Sequence, residues 1–156
     1  MEHNSEAYRH LVRRLTDLAD RYQQVGQDYY KELRDYGTGE LYTSTEVHMV
    51  TRIEENPGIT ASRIAEETLR TKSAVSQMIA KLEAKGLVYR EKDPNNGKQH
   101  FLYVTEKGNQ LSLCHKAYDE QTSPIEGLVA HFGMEKMENY ASVMEYALQT
   151  QQMRKD

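Results

Sequence analysis

Apolar residues recur at intervals of three and four along Tyr8, Leu11, Leu15, Leu18, Tyr22, Val25 and Tyr29. That is a heptad seam on one long helix, and such a stripe needs a partner surface. The glycines of YGTGEL, residues 36–41, break this helix. In TSTE, Thr43 and Glu46 have the spacing of a capping box, so a helix begins there and runs to about Glu55, where NPG stops it. Thr60 caps a short helix through about Thr68, and Thr71 caps another that Gly86 ends as a C-terminal glycine. The period then shortens. LVYRE has strand composition, DPNNG is turn chemistry, and HFLYV is aromatic and β-branched. Thr105 caps the next helix, with Leu111, Cys114 and Tyr118 on one face, and Met134, Met137, Ala141, Met144 and Leu148 form a second, shorter seam.

Three short helices followed by a two-stranded hairpin predict a mainly α chain with a small β-wing, a winged helix-turn-helix. The expected parts are a dimerisation helix over residues 1–40, the winged lobe over 41–105, and C-terminal dimerisation helices over 106–156, together one intertwined domain. The stretch TLRTKSAVSQMIAKLEAKGL falls on the third helix of the lobe. Val75, Met78, Ile79 and Leu82 make its apolar face, whereas Lys72, Ser73, Ser76, Gln77 and Lys81 lie opposite. Solvated faces are usually rich in Glu and Lys; short hydrogen-bonding side chains suit a DNA major groove about 12 Å wide. Thr71, Lys72, Ser73, Ser76, Gln77 and Lys81 are therefore the expected groove contacts, with Arg63 and Arg70 on phosphates. Glu83 comes late in the helix, away from the residues that usually reach bases. In the wing tip, Asn95 to Gln99, the expected contacts are Asn96, Lys98 and Gln99.

Composition narrows the class. A chain of 156 residues suits one domain, and 38% hydrophobic with 28% charged residues fits a helical protein with much surface or a partner-covered one. The single cysteine, Cys114, excludes an intrachain disulfide, and its apolar helix face points to an inert thiol. No apolar run reaches membrane-spanning length, and MEHNSEAYRH lacks the pattern of a signal peptide, so a cytoplasmic protein is expected. The net charge is −4, yet residues 60–100 hold eight Lys or Arg against five Asp or Glu, and the rest of the chain sums to −7. A basic middle between acidic ends fits a local phosphate-binding face. There is no phosphate-binding Gly loop, G-x-S-x-G elbow or Cys–Cys pair, so no enzyme is expected. The overall acidity leaves one alternative of another class, a protein-binding adaptor without DNA binding.

The stretches LYTSTEVHMV, PGITASRIAEETLRTKSAVSQMIAKLEAKGLV and KDPNNGKQHFLYVTEKG resemble the MarR family of transcriptional regulators over about Leu41 to Gly108. The resemblance implies a homodimer on a pseudo-palindromic operator, more often a repressor, tuned by a small-molecule effector in the cleft between dimer helices and lobe. The family usually carries an Arg pair in the wing; here those positions are Gly97 and Lys98, which keeps a cation but loses the planar fork. Zinc-responsive relatives place metal ligands on the second and fifth helices. Aligned by the capping threonines, His48 and His115 fall on two of those positions and Asp119 on a third, while Val47 replaces an acidic ligand. A zinc-responsive regulator using these three residues is the alternative within the family; no other cofactor is implied. Fatty-acid-synthesis repressors also carry a His on the second helix, so the same pair has a structural reading. Tyr22, Tyr29 and Tyr30 suit either the effector cleft or, preferably, the dimer seam.

Overall fold

In the computed structural model the described residues are 5–94, 96–122 and 124–152, with the side chains of 96–98, 124, 151 and 152 outside the description. They fall into two compact units, the first ending at His115 and the second starting at Lys116. The first contains α1 (Glu6–Lys31), β1 (Leu33–Asp35), β2 (Leu41–Thr43), α2 (Ser44–Glu55), β3 (Ile59–Thr60), α3 (Ala61–Thr68), α4 (Lys72–Ala84), β4 (Val88–Asp93) and β5 (Asn96–Val104). It also takes in the start of α5 (Glu106–Thr122); the remainder of α5, α6 (Pro124–Phe132) and α7 (Met134–Gln152) belong to the second.

The helices begin at the threonines that the sequence marks. Thr43 accepts from the Glu46 N–H at 3.3 Å while Glu46 Oε2 accepts from the Thr43 N–H at 2.9 Å, a complete capping box. Thr60, Thr71 and Thr105 accept from the N–H groups of Arg63 (3.2 Å), Ala74 (3.2 Å) and Gly108 (3.1 Å). Helix α4 ends in a Schellman turn: Gly86 sits at φ +69°, its N–H donates to Glu83 O at 2.9 Å, and the Leu87 N–H donates to Leu82 O at 3.0 Å.

Three features depart from the expected pattern. The first helix ends at Lys31, before the glycines; residues 36–40 instead join β1 to β2, and Asp35 Oδ1 accepts from the N–H groups of Gly37 (2.8 Å), Thr38 (2.9 Å) and Gly39 (3.1 Å) to hold the turn. The wing hairpin gains a third strand, in the antiparallel order β3-β5-β4, with Ile59 opposite Leu102. On α5 the buried face is Leu111, Ser112 and His115, with Cys114 and Tyr118 only half-buried. The polar pair is tolerated there because Ser112 Oγ donates toward Thr51 Oγ1 (3.2 Å) and Glu54 Oε2 (3.3 Å) on α2.

The core lies around α2. Val47, Val50 and Ile53 have no solvent exposure and pack with Ile64 of α3, Val75, Ile79 and Leu82 of α4, and Leu87, Leu102 and Leu111. By contrast α1 has no buried residue in its 26, with Tyr22 67% and Val25 69% exposed. Nor is any described residue from Lys116 onward buried.

Within this apolar centre sits one carboxylate, Glu46, with no solvent exposure. Its Oε1 meets Lys85 Nζ at 2.7 Å and Lys81 Nζ at 3.2 Å, both from the end of α4. Burial pushes this carboxyl up, but Lys85, the Thr43 N–H and Lys81 more than reverse that and hold it at about 2. A carboxyl depressed from 4.5 stabilises the fold fully above pH 4.5, and the contribution drains away as pH falls toward 2. Glu46→Gln retains a capping side chain and removes the charge. It is expected to cost about 2 kcal/mol in urea unfolding at pH 7, discounted because Lys81 is half in solvent, with the two proteins converging as pH approaches 2. A pH-independent gap would overturn the assignment. Gly108 is a separate constraint: a Cβ there would lie 2.0 Å from Leu87 O and 3.2 Å from Val104 Cβ. Gly108→Ala is therefore expected to lower stability by about 1–3 kcal/mol or more, through the strain of overpacking, despite the better helix propensity of Ala.

Candidate nucleic-acid interface

Helix α4 turns Val75, Ile79 and Leu82 into the core, which forces Thr71, Lys72, Ser73, Ser76, Gln77 and Lys81 outward, and all six are exposed. Its first turn holds no acidic residue, so the partial positive charge of the helix N-terminus is not cancelled. Thr71 Oγ1 both caps the helix and lies 3.1 Å from Ser73 Oγ. The turn into α4 is made by Leu69, at φ +55° the one non-glycine residue with positive φ among those described. That conformation costs a β-carbon-bearing residue about 1–2 kcal/mol, and the Arg70 N–H donating to Ala65 O at 3.1 Å helps to hold it.

Beside α4 a cleft of about 360 Å³ separates the start of α3 from the wing. Thr60, Ala61 and Ser62 form one wall, Ser76 the floor, and Arg90, Gln99 and His100 the wing side. The structure therefore brings together Ser76 and Gln99 of the expected contacts. It adds Ser62, Arg90 and His100, which the sequence reading missed. The signal was the alternation of strand residues: Arg90 pairs with Leu102, and His100 lies two residues before Leu102 on β5. It becomes legible only once the register is known.

Other expected contacts are partly engaged. Arg63 is exposed, but its Nε donates to Glu67 Oε1 at 2.7 Å, and Glu67 Oε2 accepts from Arg52 at 3.0 Å. Lys81 shares Glu46 with Lys85. Arg90 Nη2 lies 3.0 Å from Glu83 Oε2. Asn95 lies outside the described residues, as do the side chains of Asn96 and Lys98, whose backbone belongs to β5.

Arg70 lies elsewhere. It lines a second cleft, of about 500 Å³, with Gln27, Tyr30, Lys31, Thr45, His48 and Arg52 among its walls. Three cations, Lys31, Arg52 and Arg70, line it together with the rings of Tyr30 and His48, and no carboxylate does, although Arg52 pairs with Glu67. Of the other tyrosines, Tyr29 carries the Arg34 guanidinium 4.0 Å from its ring centre, and Tyr22 faces solvent.

The rings of His48 and His115 meet edge to face at 4.9 Å, and His115 Nδ1 lies 3.4 Å from Thr51 Oγ1. His48 also packs edge-on against Tyr30, and His115 against Tyr36. Asp119 follows His115 by one turn of α5.

Comparison with known proteins gives the same architecture. Residues 42–100 match the MarR family. The uncharacterised HTH-type transcriptional regulator YhjH of Bacillus subtilis (strain 168) is 30% identical over 87 residues, covering 56% of this chain and 50% of that protein. The chain spans about half the length of the curated relatives it matches first. Among solved structures, Streptococcus pneumoniae FabT in complex with DNA aligns with a TM-score of 0.64 at 19% identity, covering 93% of this chain and 97% of that one. The zinc-responsive MarR family member ZitR of Lactococcus lactis aligns with 0.65 at 20%, covering 90% and 98%. At such identities these structures bear on the fold.

Proposed function

We infer that this chain, a member of the MarR family of winged helix-turn-helix proteins through residues 42–100, is a sequence-specific DNA-binding transcriptional regulator. The observation that carries this reading is the exposed face of α4, short, polar and free of acid in its first turn, next to a cleft with Arg90, His100 and Gln99. Thr71, Lys72, Ser73, Ser76 and Gln77 meet base edges and nearby phosphates; Arg63, Lys81 and the wing residues Asn96, Lys98 and Gln99 meet the backbone. That S. pneumoniae FabT has been captured with DNA supports this. The protein works as a homodimer on a pseudo-palindromic operator. The support is the exposure of Leu11, Leu15, Leu18, Tyr22 and Val25 along α1 and of Met134, Met144 and Leu148 along α7. No described helix is long and apolar enough to cross a membrane, and we assign the protein to the cytoplasm as a repressor without catalytic activity.

The second cleft is the proposed effector site. Its volume suits a small organic molecule, and Lys31 and Arg70 select an anion. This reading takes precedence over zinc sensing through His48, His115 and Asp119, because Lys31 and Arg70 give the cleft a ligand chemistry of its own. It also takes precedence over a protein adaptor, which gives no reason for the α4 face.

Two measurements test the proposal. Affinity for the duplex upstream of the protein's own gene is expected to fall steeply with salt. Gln77→Ala should lose about 1–3 kcal/mol on the operator and relax base preference, whereas Lys72→Ala should weaken all sequences alike and reduce the salt slope by about one. A flat salt response would sink the DNA-binding reading. Second, benzoate-sized carboxylates are expected to raise the melting temperature of the free protein and lower its DNA affinity. Arg70→Gln should abolish both responses and leave ligand-free DNA affinity unchanged; a loss of that affinity would return Arg70 to the phosphates.

A further inference from the structure

The DNA-side cations are mostly spoken for. Arg63 is held by Glu67 at 2.7 Å, Arg90 by Glu83 at 3.0 Å and Lys81 by Glu46 at 3.2 Å. Among the described residues, Lys72 on the same face makes no ion pair. The Glu46 contact has a reason in the core. The other two do not: Glu67 and Glu83 are each about a third exposed, at 31%, and pairs at that depth add little to stability. Their position is the informative part. Glu67 draws the Arg63 guanidinium back along α3, and its other oxygen takes Arg52. Glu83 draws Arg90, a wall residue of the cleft between α3, α4 and the wing, toward the end of α4.

We propose that Glu67 and Glu83 are internal stand-ins for DNA phosphates that keep the lobe's affinity for DNA of any sequence low. The inference rests on the DNA-binding reading above and adds an affinity limit to it. A phosphate that takes Arg63 or Arg90 must displace a carboxylate. The displaced carboxylate then stays within about 8 Å, one Debye length, of the incoming polyanion, so the exchange is penalised twice. Contacts from Ser73, Ser76 and Gln77 to bases are untouched by this penalty. Binding to random DNA has nothing else to draw on and is held down.

The test compares the full-length protein with Glu67→Gln, Glu83→Gln and their combination, on a labelled random-sequence duplex and on the duplex upstream of the gene, across salt. Glu66→Gln is the control, because it removes one charge from the same helix and releases no cation. Circular dichroism melts establish that each variant is folded. Each of the two substitutions is expected to raise affinity for both duplexes about two- to fivefold, and to steepen the log–log salt slope by about one. Glu66→Gln should leave the slope where it was. Unchanged or weaker binding by Glu67→Gln and Glu83→Gln, with wild-type protein binding normally, overturns the proposal and makes both pairs simple ties of helix and wing. Equal gains in the Glu66→Gln control also overturn it, in favour of net charge alone. If neither wild type nor the double variant binds any duplex at low salt, the DNA-binding reading falls and this one with it; binding by the double variant alone supports the guard.

Discussion

Glu46 is shut off from solvent and still charged, and most of the lobe is arranged to keep it so. Its two oxygens do different work. Oε2 closes the capping box that starts α2, while Oε1 takes the ammonium groups of Lys81 and Lys85 at the end of α4. Removing a buried charge from water is expensive, and an uncompensated one would be forced to take up a proton. The cost is met by donors from the end of α4 and from Thr43 of β2, so the charge is stable only when α2 and α4 meet in one relative orientation. Lys85 also lies over the Tyr42 ring, and its carbonyl oxygen accepts from Lys107, which in turn pairs with Glu40. The angle at which α4 is presented to a groove is thereby tied to the entry of α2 and, through Lys107, to the first turn of α5.

Much of this lobe was legible because its punctuation is local. A threonine with the right neighbour three residues on marks a helix start whatever surrounds it, and Thr43, Thr60, Thr71 and Thr105 all do so. Gly86 likewise ends α4 through bonds within six residues. Features that depend on distant partners were not legible. A two-residue strand such as β3 has no period to detect, and β1 with β2 is scarcely longer. Leu69 adopts a backbone conformation that its identity argues against, imposed by the packing of α3 and α4. The burial of Ser112 is explained only by Thr51 and Glu54 opposite it, which lie 61 and 58 residues away in sequence.

The same distinction runs through the site. The exposed face of α4 could be read directly, since the apolar positions of one helix determine which way the others point. Which cation faces which partner could not. Arg70 was read as a phosphate contact, and only the folded chain shows that it also lines the cleft beside Gln27, Tyr30 and Arg52. The mild excess of basic residues between Thr60 and His100 is real as a count, but Arg63, Lys81 and Arg90 are each opposed by a carboxylate that a count cannot locate.

Helix α2 touches both ends of this arrangement. Glu46, in its first turn, grips α4, and Thr45, His48, Met49 and Arg52 form a wall of the larger cleft. The two groups alternate around twelve residues of one short rod. A molecule seated in that cleft which favours one setting of the rod must favour one setting of α4, with no relay of intervening loops. Thermodynamic reciprocity then applies: whatever factor such a ligand removes from operator affinity, an occupied operator removes from affinity for the ligand. Under the proposed function, the bound DNA would thus set how much of the signal the protein can hold, and the DNA-bound fraction would be the last to respond.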